Sequence, residues 1–161
     1  MRRSARPTPS PLRRRRGKGG AQAAGIGRSR GGLTSKVHAA VDALGLPIRL
    51  TVTPGQWGDC PQAAGLIEGL AGIGHVIADA AYDATHLREA IAATGACAQI
   101  KHNGSRAARM PLDPDLYAER NLVERFFLRL KRYRRIAPRC EKTRSSFTAF
   151  LHIACAMEWI R

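Results

Sequence analysis

The chain has 161 residues, 27 of them Lys or Arg against 12 Asp or Glu, giving a formal charge of +15 and a pI of about 11.1. That surplus points to a polyanionic partner held through counterion release and weakened by salt, and the dominance of Arg over Lys suits bidentate phosphate contacts. The four cysteines are scattered without a CxxC pair, which excludes zinc-finger spacing and a small secreted disulfide framework; no apolar run reaches the roughly 18 residues of a membrane span, and the charged N-terminus lacks the apolar segment of a secretory signal.

One domain with a genuine core fits an apolar content of 44%, and a reducing, cytoplasmic location is expected. Residues 1–32 carry Arg13 to Arg16 and many Gly and Ala, too little apolar surface to repay ordering, and read as a flexible basic arm. Residues 33–42 and 47–53 then flank Ala43-Leu44-Gly45-Leu46 as an antiparallel hairpin, ended by Pro54-Gly55. Asp59 reads as the N-cap of a helix over 61–70, stopped by Gly72 and Gly74. His75-Val-Ile-Ala-Asp79 reads as a short buried strand ending in a carboxylate. Asp83 caps a helix over 84–94, Gly95 stops it, and 96–100 forms a further strand. A polar loop over 101–114 leads to a helix over 115–136, and an amphipathic helix over 145–160 closes the chain. Strands followed by alternating β and α elements imply an α/β layered domain over 33–161.

The helix over 115–136 carries a stripe. Tyr117, Arg120, Glu124 and Lys131 are spaced Y-x2-R-x3-E-x6-K, which at about 100° per residue gathers them within an arc of roughly 60°. Leu122, Phe126, Leu130 and Tyr133 fall on the opposite face, a core face, while Arg125, Arg129 and Arg132 make a third, basic sector for phosphates. One acid among phosphate-binding groups suits metal-assisted chemistry on a nucleic-acid backbone; the bland alternative is a solvated face with fortuitous charges. Asp79 stands at the carboxyl end of a buried strand, where open α/β sheets place ligands; alone it reads as a turn former. Together Asp79 and Glu124 can hold a divalent metal, and Mg²⁺ (or Mn²⁺) suits their hard oxygens. The five histidines show no metal spacing. Trp57 and Trp159 read as packing residues rather than stacking platforms for bases.

These residues resemble bacterial insertion-sequence transposases of the IS5 group, within the DDE superfamily. The resemblance rests on Gly27-Arg-Ser-Arg-Gly-Gly-Leu-Thr-Ser-Lys36-Val-His, Val41-Asp-Ala-Leu-Gly-Leu-Pro47, Thr53-Pro-Gly-Gln56 through Asp59, Val76-Ile-Ala-Asp79-Ala-Ala-Tyr82-Asp83 and the Tyr117, Arg120, Glu124, Lys131 signature. It covers about residues 25–161. It implies an RNase H-like mixed sheet flanked by helices, Asp79 and Glu124 as catalytic metal ligands, and Mg²⁺-dependent cleavage and transfer of double-stranded DNA at transposon ends and target. It also implies a bacterial, nucleoid-associated location. A homodimer is a further expected assembly.

The sequence departs from that family at one point of consequence. The family carries a first catalytic Asp on a strand upstream of the Gly-Gly-Leu-Thr segment, whereas the first acid here is Asp42, which opens the Ala-Leu-Gly-Leu turn where Asp serves local hydrogen bonding. A domain truncated at its N-terminal side is therefore expected, inactive as the isolated chain, with part of one hairpin edge unpaired and the acid restored by an upstream-frame product through frameshifting. Ala80 and Ala81 also replace a basic and a small residue. The alternatives are a noncatalytic DNA-binding remnant or repressor of transposition, and a basic RNA- or ribosome-associated protein.

Overall fold

The structure, a computed structural model, describes residues 20, 24–29, 32–104 and 110–160. Strands β2 (Gly32–Val41) and β3 (Pro47–Pro54) form the expected hairpin, paired antiparallel from Ser35 opposite Pro54 to Val41 opposite Pro47. Asp42 closes it as a turn former: its Oδ1 accepts from the amides of Leu44 at 2.9 Å and Leu46 at 2.8 Å. Gly45, at φ 77°, supplies the left-handed residue that the turn needs. A short strand β1 (Gly27–Ser29) pairs antiparallel with Gly32 to Thr34. The arm expected over 1–32 therefore ends earlier, because the Gly-Arg-Ser segment finds ladder partners on β2; residues 1–19, 21–23 and 30–31 lie outside the described residues.

Helix α1 (Cys60–Ile67) is shorter than expected. It stops at Glu68 because Gly69 turns left-handed, at φ 68°, before the glycines expected to end it. Strand β4 (His75–Ala78) pairs in parallel with β5 (Cys97–Ile100), and the crossover contains a 3₁₀ turn (Ala80–Tyr82) and helix α2 (Thr85–Ala93). Ala84, not Asp83, occupies the cap position of α2. The Asp83 carboxylate is instead fully buried, accepting from Arg88 Nε at 2.8 Å and the Asn103 amide at 2.9 Å, and so ties α2 to the chain leaving β5.

The single helix expected over 115–136 is two: α3 (Pro114–Ala118) and α4 (Asn121–Leu130). Between them the backbone tightens to i→i+3 bonds, from the amides of Glu119, Arg120 and Leu122 to the carbonyls of Leu116, Tyr117 and Glu119. Lys131 caps α4, and the following segment is turns. Helix α5 (Arg144–Trp159) begins at Thr143, whose Oγ1 accepts from the Ser146 amide at 3.1 Å. Among the described residues no helix is long and apolar enough to cross a membrane.

The single mixed sheet does not form. Among the described residues β1, β2 and β3 make one sheet and β4 and β5 another. From Ser35 to Val41, β2 pairs on one edge only, and so does β4. Each sheet buries its own face. Phe126 and Leu130 of α4 and Phe147 and Leu151 of α5 pack on Val52 and its neighbours in the hairpin, while Leu87 and Ile91 of α2 pack with Ile67 and Ile100 around the parallel pair. Two small cores result, with a cleft between them.

Candidate active site

Asp79 follows the last residue of β4, in an extended conformation (φ −82°, ψ 177°). Its Oδ1 accepts from the Ala81 amide at 2.9 Å, so one carboxylate oxygen anchors the 3₁₀ turn. The other has no partner among the described residues. Tyr82, at the end of that turn, lines the same cleft. Burial, and then the negative charges of Asp59 and Asp79, push its phenol up to about 12. Asp59, Asp79 and Tyr82 all line the one cleft.

Glu124 sits in the first turn of α4, where an acid complements the helix N-terminus. Arg120 Nη1 reaches its Oε1 at 2.7 Å, an i,i+4 ion pair with 56% of the Glu124 side chain still exposed. The hydrogen bond to Glu124 holds the Arg120 guanidinium more firmly protonated, and the charges of Glu124, Tyr117 and Asp79 add to it against the cost of burial. Arg120 thus lies in the field of both acids, with the Tyr117 ring centroid 6.0 Å away.

Asp79 and Glu124 line one cleft of about 480 Å³. Its walls come from β2, α1, β4 and α4: consecutive residues from Lys36 to Ala40 on one side, Val76 and Ala78 on the other. A run of consecutive strand residues exposes both side-chain directions and the backbone between them, as an unpaired edge does. The same cleft holds three residues that sequence reading did not assign to a site, Lys36, His38 and Asp59. Asp59 occupies the cap position of α1 but accepts no helix amide; its Oδ1 takes Lys36 Nζ at 3.0 Å and lies 3.8 Å from His38 Nδ1. His38 is buried, its Nε2 2.7 Å from Thr53 Oγ1, and burial lowers its pKa. Lys36 lies in the Gly-Gly-Leu-Thr-Ser-Lys segment, where its position six residues past Arg30 carried no signal of a partner twenty-three residues on.

The remaining sequence-predicted residues are dispersed. The Tyr117 backbone belongs to α3, a separate short helix. Lys131 caps the C-terminal end of α4, seven residues on from Glu124, and lines a second groove, of about 710 Å³, with Ile136, Arg139 and Phe147. Arg125 and Arg132 are exposed. Arg129 is spent inside the fold: Nε meets Glu158 Oε2 at 2.6 Å and Nη2 donates to the Gly45 carbonyl at 2.7 Å. Its place beside Arg125 in the sequence hid that commitment. Trp57 and Trp159 are 49% and 56% exposed rather than packed, and Trp159 Nε1 donates to the Pro47 carbonyl at 3.0 Å.

Two carboxylates in one cleft, each with an oxygen that has no hydrogen-bond partner among the described residues, are a donor set that suits one hard cation; Mg²⁺ sites commonly use one or two carboxylates with waters and substrate phosphate. Among the described residues no three Asp, Glu, His or Cys side chains converge as a metal-binding group. The set fits one ion and falls short of the bridging acid that a pair of ions needs.

Residues 6–159 match the family described as transposase DDE domain. A Brucella ovis protein named as a candidate transposase for insertion sequence element IS6501 is 59% identical over 130 residues, which are 80% of this chain and 100% of that protein. No solved structure matches the chain.

Proposed function

The chain belongs to the DDE transposase family, and we propose that it is an insertion-element transposase acting on double-stranded DNA, with Asp79 and Glu124 as its two metal-holding acids. The observation that carries this reading is their meeting in one cleft beside Arg120. Asp79 offers its second oxygen, and Glu124 reaches the same space once Arg120 turns toward a phosphate. A divalent ion held there supplies Lewis acidity toward the phosphoryl oxygen and a more acidic bound water. Arg120 answers the charge of the scissile strand, and Arg125, exposed on α4, and Arg132, exposed just past its end, offer phosphate contacts that orient the duplex without reading sequence. The basic residues before 25 add to these contacts.

The hairpin, the parallel pair and the helices over them are the parts of an RNase H-like sheet, with the cleft where a further strand belongs. We read the site as needing a third carboxylate, brought on a strand laid between the open edges of β2 and β4, in keeping with an IS5-group enzyme whose first Asp is supplied by an upstream segment or an upstream-frame product. The 161-residue chain alone then cleaves little or not at all, since losing one member of a cooperating catalytic set costs nearly as much as losing the set. The absence of a three-residue metal group among the described residues also favours a second reading, a noncatalytic DNA-binding protein that occupies element ends.

Mg²⁺-dependent nicking of transposon-end DNA separates the two. Joining an Asp-bearing strand upstream should bring cleavage, and Asp79→Asn or Glu124→Gln should abolish it again. Cleavage that survives both substitutions would remove the two acids from the site, and a joined chain that binds DNA but never cuts it supports the second reading.

A further inference from the structure

We infer that Lys36 is a phosphate-binding residue of this cleft, held ready by Asp59. The inference rests on the DNA-binding reading above and assigns that reading a residue it does not contain.

Three observations converge. Asp59 stands where a helix-capping side chain is expected and caps nothing; its carboxylate is given to Lys36 instead, at 3.0 Å. A carboxylate diverted from an available helix amide to an exposed cation contributes little to stability, because such pairs are largely offset by solvation and side-chain entropy. Stability therefore does not account for the arrangement. Second, an ammonium carries three donors. Lys36 gives one to Asp59 and one to the Trp57 carbonyl at 2.9 Å, and the third has no partner among the described residues. Third, the pair is reachable: the side chains of Lys36 and Asp59 are 37% and 40% exposed, on the β2 wall of the cleft that Arg120 enters from the start of α4.

The cleft thus carries two cations on separate elements, each parked on its own acid, Lys36 on Asp59 and Arg120 on Glu124. A phosphodiester oxygen can take the free donor of Lys36 and then replace Asp59 as its partner, leaving the ammonium fully bonded throughout. The carbonyl of Trp57 keeps the lysine on the wall during that exchange. Lys36 and Arg120 then both hold the strand in the cleft that Asp79 lines.

Lysine acetylation of the wild-type chain, read by mass spectrometry with and without a short duplex DNA of arbitrary sequence, tests this directly. Lys36 should be labelled several-fold more slowly in the complex. Asp59→Asn should speed its labelling in the free chain and leave protection in the complex intact. Lys36→Gln should make the slope of log K against log salt shallower by about 0.9, one phosphate contact, and Lys36→Arg should restore it. Unchanged Lys36 labelling in a chain that still binds DNA in a salt-dependent way would overturn the inference, as would an unchanged slope in a folded Lys36→Gln variant. If Lys36→Gln does not fold, the wild-type labelling decides alone. Wild-type binding with no salt dependence would overturn the DNA-binding reading itself.

Discussion

Replacing Arg129 by Met separates two roles that the same residue holds in sequence and in structure. Sequence periodicity places Arg129 with Arg125 and Arg132 as a phosphate contact; the structure commits it to Glu158 and to the Gly45 carbonyl, joining α4 to α5 and to the hairpin turn. The Glu158 side chain is 3% exposed and that of Arg129 is 24%. Removing one partner of a buried pair costs about 3–5 kcal/mol. Water reaching the guanidinium side brings that to roughly 2–3 kcal/mol, and the lost bond to Gly45 adds about 1 kcal/mol. Arg129→Met should therefore lose about 3 kcal/mol, a shift in Tm of roughly 6–12 °C for a chain of this size. Adding Glu158→Leu should recover most of the loss, because an apolar pair of similar volume replaces a buried ion pair at little cost. Urea and thermal unfolding give the stability, and fluorescence anisotropy on duplex DNA gives the salt slope, which should not change. A variant that keeps its wild-type Tm and loses about 0.9 from the slope would show that Arg129 faces phosphates and that the internal tie is incidental.

Two titrations follow from buried groups. The Tyr82 phenol, held up to about 12 by burial and by Asp59 and Asp79, should give a late step in an alkaline absorbance titration that a Tyr82→Phe variant lacks. Stability from it is fully present below about 10 and is lost as pH rises toward 12; Asp79→Asn should bring the step down, and a titration with no late step to lose in Tyr82→Phe would contradict this. His38 is the opposite case: its pKa is lowered by burial, so its contribution is present above about 6.5 and is lost as pH falls below it. His38→Gln should flatten the dependence of unfolding free energy on pH between about 7 and about 5, and an unaltered slope would mean that another group titrates there.

Local pattern made the hairpin, the β4–α2–β5 unit and the last helix legible, because each is written in alternation or helical period with a turn residue at its end. Asp42 is a case where residue chemistry sufficed: an Asp opening a short turn bonds the amides that follow. What escaped was tertiary. No Gly or Pro marks the tightening between α3 and α4, so residues 115–136 read as one helix. Glu158, Lys36 and Asn103, partners of Arg129, Asp59 and Asp83, lie 29, 23 and 20 residues away along the chain, beyond any periodic signal. Asp59 and Asp83 illustrate the ambiguity best, since both look like helix caps and both spend their carboxylates elsewhere. The pairing of Asp79 with Glu124 was legible from an acid at a strand end and an acid on a helix stripe, and again from the family resemblance, whereas Lys36 and Asp59 became visible once β2 and α1 were set against β4.

The most direct test of the account counts Mn²⁺ bound to the chain in the presence of duplex DNA, by electron paramagnetic resonance. The wild-type chain should hold about one ion, as two carboxylates with phosphate and water can, and both Asp79→Asn and Glu124→Gln should lose it while remaining folded and DNA-bound. Retention of the same ion by either variant would contradict the claim that these two acids share one metal-assisted site.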